Sequence, residues 1–309
     1  MQIYRIDDSK QLTTIQEMPF ALEKDMQKVF EQNLFTLTGL YLVKSEFTLK
    51  QFRFDTLAFD TEKKAFVVIE YKLNKSQSVV DQGIAYLNAM LEYRESLIIE
   101  YNERGIGQTL KRNDVDWGQT RVLFVANYFN DFQRQATNFK NLGIKLIEFK
   151  RYPHGLLTVH FIKQSKSAPK LQIPITDHRN EEMAALTKIS KEITTYDEDY
   201  LLVNKNTKVT ELYEKFKQGI LNLNERINLN FNKFYVSFKN EKSNIVDITV
   251  QKNSLKICIN AFWGDLNDAK GLFRNVRHIG HLGNGDYEVK VDDDQELEYI
   301  LSVIKQNLK

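Results

Sequence analysis

Asp55, Glu70 and Lys72 are the residues of this chain whose types and spacing suit chemistry. Glu70 and Lys72 stand two apart, so on a strand their side chains share a face. They end the apolar run Ala65-Phe66-Val67-Val68-Ile69, and charges at the tip of a buried strand are costly unless paired. The preceding segment offers a partner. Residues 52–59 alternate and are rich in aromatics, the pattern of a strand, and the polar tetrad Thr61-Glu62-Lys63-Lys64 supplies a turn. With that turn Asp60 faces Ala65, and stepping outward places Asp55 opposite Glu70, with Cβ atoms roughly 5 Å apart. Two carboxylates at that range repel unless a proton or a cation lies between them. A Mg²⁺ or Mn²⁺ ion, with oxygen ligands at about 2.1 Å, fits such a gap. Lys72 could then hold or activate a water beside the ion. The plain alternative is a cross-strand salt bridge at the sheet surface.

A helix expected over 76–97 follows that strand directly. Gln82 and Tyr86 are four apart on it and share a face, so both could overhang the carboxylates and contact phosphate or sugar. The alternative is an ordinary solvent-facing helix side. Arg53 falls opposite Lys72 by the same pairing, where it either meets phosphate or pairs with a nearby acid.

The elements that must position these residues follow from pattern. Leu22, Met26, Val29 and Phe30 recur at helical steps ahead of the hairpin. After it come a polar loop at 102–120, strand 121–126, helix 132–142 and strands 145–149 and 156–162. The layout is mixed α/β, with a first domain at 1–165. Polar residues with Pro169 and Pro174 then read as a linker, 166–200, holding a short helix near 181–193. The last domain, 201–309, starts with helix 209–227, whose Leu212, Phe216, Ile220 and Leu223 share one side. Strands 233–238, 245–250 and 255–260 follow, the last two joined by the turn Gln251-Lys252-Asn253-Ser254. A Gly-rich stretch, strand 287–291 and helix 295–308 complete a small α+β unit.

Asp55, then Val68-Ile69-Glu70-Tyr71-Lys72, then Gln82-Gly83-Ile84-Ala85-Tyr86, resemble the PD-(D/E)XK nuclease superfamily, and the Gln-x-x-x-Tyr pair resembles its RecB-like branch. The resemblance implies a restriction-endonuclease-like mixed sheet flanked by helices. It also implies a metal held by Asp55 and Glu70 with the Tyr71 carbonyl, with Glu23 as a further metal-linked carboxylate; Glu31 competes for that role. Phe54 stands where the superfamily often has Pro, which removes no ligand. More closely, residues 20–165 resemble a bacterial and archaeal family labelled "predicted transport proteins", through Arg53–Asp60, Ile69–Lys72, the Gln82-Gly83 pair and Trp117. The last domain resembles a small domain of unknown function, through His278-Ile279-Gly280-His281 and Gly283-Asn284-Gly285-Asp286-Tyr287-Glu288.

Composition narrows the field. The 309 residues carry 43 basic and 41 acidic side chains, net +2, which excludes a strongly basic coat and leaves nucleic-acid binding to a local patch. Lys44, Lys50, Arg53, Lys63, Lys64, Lys72 and Lys75 gather around the hairpin. The single Cys258 excludes internal disulfides and multi-Cys zinc sites; on its strand it reads as a packing residue or a partly exposed thiol. His278 and His281 lack further ligands at zinc spacing, and the neighbouring Gly-rich loop lacks the P-loop lysine, so a structural turn is expected. Trp117 reads as a packing anchor. No apolar run of about 18 residues exists to span a membrane, and Met1–Asp8 shows no leader, so a cytoplasmic setting is expected.

The function expected from these readings is a Mg²⁺- or Mn²⁺-dependent nuclease hydrolysing phosphodiester bonds, with DNA expected over RNA. Asp55, Glu70 and Lys72 would be catalytic, and Gln82, Tyr86 and Arg53 would position substrate. The alternative is a non-catalytic module binding nucleic acid or protein on the same fold. A protein partner recruited through 201–309 and a homodimer are the assemblies left open.

Overall fold

The computed structural model describes residues 2–73, 78–165, 167–171, 181–241, 243–280 and 282–308. The first residues of the expected 76–97 helix, Lys75, Pro174 and His281 lie outside them. The chain forms two compact units, Met1–Thr195 and Tyr196–Lys309.

In the first unit a short hairpin, β1 (Ile3–Ile6) and β2 (Leu12–Ile15), precedes helices α1 (Glu23–Gln32) and α2 (Leu34–Thr38). Strands β3 (Tyr41–Leu49), β4 (Phe52–Asp60) and β5 (Ala65–Lys72) follow, then α3 (Val79–Glu92) and α4 (Arg94–Arg104). The rest is β6 (Arg121–Ala126), α5 (Asp131–Ala136), β7 (Ile144–Arg151), β8 (Leu157–Ile162) and α6 (Glu181–Glu192). Strands β3 to β8 form one six-stranded sheet in chain order. The β5–β6 and β6–β7 pairs are parallel and the others antiparallel, so the expected mixed sheet is found.

Helices cover both faces. Met26 and Phe30 of α1 pack with Val67, Ile69 and Tyr71 on one side. On the other, Ile84, Leu87 and Met90 of α3 pack with Phe66, Val68, Phe124 and Ile144. Gly83 lets α3 come close: a Cβ there would lie 2.5 Å from Ile144 Cδ1 and 3.2 Å from Phe124. The Ser78 hydroxyl caps α3 by accepting from Asp81 N–H. Trp117 stacks on Phe66 at 5.7 Å, the packing role expected of it.

Several elements differ from expectation. The helix read as 76–97 breaks at Tyr93, and α4 then runs on to Arg104. The helix expected over 132–142 ends at Ala136, and β1, β2 and β3 are additional. The segment read as a linker is partly core: Ile189 within α6 and Ile193 just after it are buried with Leu87 and Met90. Apolar side chains at helical spacing have a face to bury, so α6 joins the first unit.

The second unit comprises α7 (Glu198–Leu202), α8 (Thr207–Leu221), β9 (Ile227–Phe231), β10 (Val236–Asn240), β11 (Ser243–Val250) and β12 (Leu255–Ile259). A short β13 (Arg274–Asn275), β14 (Tyr287–Val291) and α9 (Leu297–Lys305) complete it. The six strands form an antiparallel sheet in the order β13-β14-β12-β11-β10-β9. Tyr213 and Phe216 of α8 and Ile300 and Ile304 of α9 pack with Phe238, Ile248 and Ile257 of that sheet. The helix expected to reach 227 stops at Leu221, and Ile227 starts a strand. In the Gly-rich stretch a Cβ on Gly285 would lie 2.1 Å from the Ile259 carbonyl oxygen, so this turn is built for packing.

Candidate active site

The β4–β5 register is the one the turn implies: Asp60 pairs with Ala65, and the ladder runs out to Thr56 and Ile69. Its last backbone pair lies just short of Asp55 and Glu70. There the alternation of β4 slips by one residue. Phe54 packs on Tyr86 of α3 at 4.8 Å, while Thr56 turns to α1 and donates to Glu31 Oε1. Asp55 sits at the slip and aims its carboxylate at β5, where the Tyr71 N–H donates to Oδ2 at 3.0 Å. Gln27 of α1 fixes the same residue from behind by donating to the Asp55 carbonyl at 2.8 Å.

Glu70 is 5% exposed. Its Oε1 accepts from Lys72 Nζ at 2.9 Å and from Gln82 Nε2 at 2.8 Å. Its Oε2 is buried and has no hydrogen-bond partner, a costly state for a carboxylate oxygen. Burial and then the charge of Glu70 push the Asp55 carboxyl up to about 6, against the Tyr71 N–H and the Lys72 charge, which lower it. The two acids therefore feel each other, and the free Glu70 oxygen is what a cation would satisfy. Mg²⁺ commonly takes one or two protein carboxylates and completes its shell with water and phosphate, so Asp55 and Glu70 fit such an ion.

Glu23 does not join them. Its Oε1 accepts from the Leu73 N–H at 2.9 Å, which ties α1 to the end of β5. Among the described residues no group of three or more His, Cys, Asp or Glu side chains could hold a metal ion. Glu31, the competing acid, is occupied by Thr56 and Gln27.

Gln82 does reach the site, but as a support. Its amide donates to Glu70 and, at 2.7 Å, to the Tyr86 hydroxyl, which in turn donates to the Arg53 carbonyl at 3.0 Å. Tyr86 is 7% exposed, with burial and then the charge of Glu70 raising its hydroxyl further from ionisation. Its position is that of a brace between α3 and β4, in place of the expected contact with substrate. The Arg53 side chain is exposed and pairs with Glu46 at 2.7 Å, the acid-pairing reading of this residue. Lys44 likewise pairs with Glu100.

One row of residues was not expected. Lys72 of β5 is in register with Ala126 of β6, and Ala126 with Glu148 of β7, which faces His160 of β8. Glu148 is buried, accepts from Arg134 at 2.6 Å and from the Phe129 N–H at 3.3 Å, and lies 3.5 Å from His160. The polar edge thus continues two strands past Lys72, across the small Ala126. Glu148 inside 145–149 was the available signal, a lone acid in an apolar strand.

Comparison with known proteins places the chain. A Haemophilus influenzae (strain Rd) protein described as "Uncharacterized protein" is 50% identical over 299 residues, covering 97% of each chain. The chain belongs to the same family as that protein. Residues 198–307 match the family described as "Domain of unknown function (DUF5655)", so the second unit is the kind of domain its motifs resembled. Among solved structures, a repair endonuclease from Pyrococcus abyssi is similar at a TM-score of 0.29 and 16% identity, over 43% of this chain and 49% of that one. The EndoMS–dsDNA2 complex is similar at 0.22 and 14%, over 42% of this chain and 58% of that one. The matches thus span about half the length of either structure. Among the described residues no helix is long and apolar enough to cross a membrane.

Proposed function

We propose that the first unit is a divalent-metal-dependent phosphodiesterase acting on nucleic acid, DNA in preference to RNA. The observation that carries this reading is the buried Glu70 Oε2, without a partner, beside an Asp55 carboxyl raised to about 6. Asp55 and Glu70 would hold a Mg²⁺ or Mn²⁺ ion. Such an ion supplies an activated water and charge stabilisation at the phosphate. Lys72, within 2.9 Å of Glu70, is placed to orient that water and to stabilise charge growing on the phosphate oxygens. Gln82 holds the Glu70 carboxylate in place, and Tyr71 N–H does the same for Asp55.

The closed Lys72–Glu70 ion pair favours a second reading, a binding module whose acids are structural. Cleavage of single- and double-stranded DNA and RNA in Mg²⁺, Mn²⁺ or chelator, with wild type, Glu70→Gln and Lys72→Ala, decides between them. Metal-dependent cleavage lost in both variants supports the enzyme. Nucleic-acid binding without cleavage, unaffected by metal, supports the module.

A further inference from the structure

The DUF5655 unit has a cationic cavity of its own. It measures about 410 Å³ and is lined by Gln251, Lys256, Leu272, Arg274, Glu288 and Lys290, with Val289 beside them. That volume lies in the usual range for small-ligand pockets.

The strand register explains the charge. Lys256 of β12 stands directly opposite Lys290 of β14. Like charges directly opposite on a sheet destabilise it, so this pairing needs compensation. Only part is supplied internally. On the neighbouring row, Glu288 is paired with Cys258 on one side and Arg274 on the other. Glu288 is 1% exposed and takes Lys256 at 3.2 Å on Oε2 and Arg274 on Oε1. These two cations, the guanidinium first and then Lys256, hold its carboxyl below the usual range once the cost of burial is met. Glu288 thus stays charged and fixes both cations from beneath. Lys290 is exposed, and its side chain has no ion-pair or hydrogen-bond partner among the described residues.

Three cations around one buried acid leave a surplus of two positive charges, the charge of a phosphomonoester dianion. The Arg274 side chain is 62% exposed while it contacts Glu288, and a planar guanidinium fork suits phosphate oxygens. Leu272 and Val289 offer an apolar wall to the organic part of a ligand.

We infer that this cavity binds a phosphomonoester group, carried by a mononucleotide or by the end of a nucleic-acid strand. The site lies wholly in the second unit and does not depend on the carboxylate pair of the first.

Titration calorimetry on the full chain tests it, with inorganic phosphate, a nucleoside monophosphate, and one oligonucleotide with and without a terminal phosphate. Binding of the nucleoside monophosphate, weakened about ten-fold or more by Lys290→Gln or Arg274→Gln and unchanged by Lys208→Gln on α8, is the expected result. Lys290 is exposed, so its variant keeps the fold, which an unchanged melting temperature would verify. A phosphorylated oligonucleotide binding tighter than both the mononucleotide and its unphosphorylated form identifies a strand end as the source. Binding of the mononucleotide at least as tight identifies a free nucleotide. Absence of binding by every phosphomonoester, or binding that Lys290→Gln leaves intact, overturns the inference.

Discussion

The Asp55 carboxylate stands in for a strand: its Oδ2 takes the Tyr71 N–H at 3.0 Å where the β4–β5 backbone ladder has stopped. One oxygen of Asp55 is thus used to close the sheet, while burial and Glu70 make ionisation of the group costly.

That cost sets a pH dependence. Asp55 has its proton affinity raised from 3.8 to about 6 on folding. Between those values the folded chain holds a proton the unfolded chain has lost, so stability falls as pH rises. The contribution is full below about pH 4 and lost by just above pH 6, with an upper bound of about 3 kcal/mol. Urea unfolding across this range should show the decline in wild type and a flatter profile in Asp55→Asn. Equal slopes would mean that Asp55 is not the group responsible.

Metal should act in the opposite sense. An ion binding only the folded state stabilises it by mass action, so Mg²⁺ or Mn²⁺ should raise the melting temperature at pH 7 and Glu70→Gln should abolish the rise. Without metal, Glu70→Gln should match or exceed wild type, because the amide oxygen still accepts hydrogen bonds and one of two repelling charges is gone. A thermal-shift series against chelator reads both effects.

Gln82→Ala removes the support under Glu70 and Tyr86 together. A stability loss of about 1–2 kcal/mol is expected from the two hydrogen bonds, with cleavage reduced in parallel. Tyr86→Phe should cost about 1 kcal/mol by the same reasoning. Chemical denaturation with activity at matched folded fraction separates the structural part from the functional part. A Gln82→Ala variant as stable as wild type would contradict the bracing role.

The boundary of the first unit can be tested by truncation. A chain ending at Thr195 should fold cooperatively. One ending at 165 loses Ile189 and Ile193, each 6% exposed or less, and burial of such side chains contributes about 1.5–3 kcal/mol apiece. Dye binding and circular dichroism on the two fragments would show exposed apolar surface in the shorter one.

Cys258 should resist alkylation. It is 1% exposed, and burial together with Glu288 and Asp247 pushes its thiol up to about 12. Thiol reagent should modify it only under denaturing conditions; rapid modification of native protein would show that the face is open.

Much of the site was legible because few rules fix it. A four-residue turn at 61–64 sets the register as far as Thr56 and Ile69, period two puts Glu70 and Lys72 on one face, and one further step of the pairing leads to Asp55, where the alternation slips. Strand 121–126 was legible because it is a short apolar run. β3 was hidden by Lys44, Ser45, Glu46 and Thr48, and by a register shift near Leu42 and a left-handed Glu46 at φ 54, all of which break alternation. The break at Tyr93 has no Gly or Pro to announce it. Glu23 has a surface-like sequence setting, and its bond to the Leu73 N–H depends on where α1 lands across the sheet, which local pattern does not contain.

The packing of α6 also has a consequence in time. The chain is made from its amino end, and β3 to β8 are complete by Ile162, yet Ile189 and Ile193 that seal the α3 side come some thirty residues later. A nascent first unit therefore passes through an interval in which every strand of this sheet has been made but one core is unsealed, at synthesis rates of about 5–20 residues per second a matter of seconds. In that interval strands β4 and β5 have been made while the helix carrying Gln82 lacks part of its backing. The last element of the unit to be made is thus a helix that packs on α3.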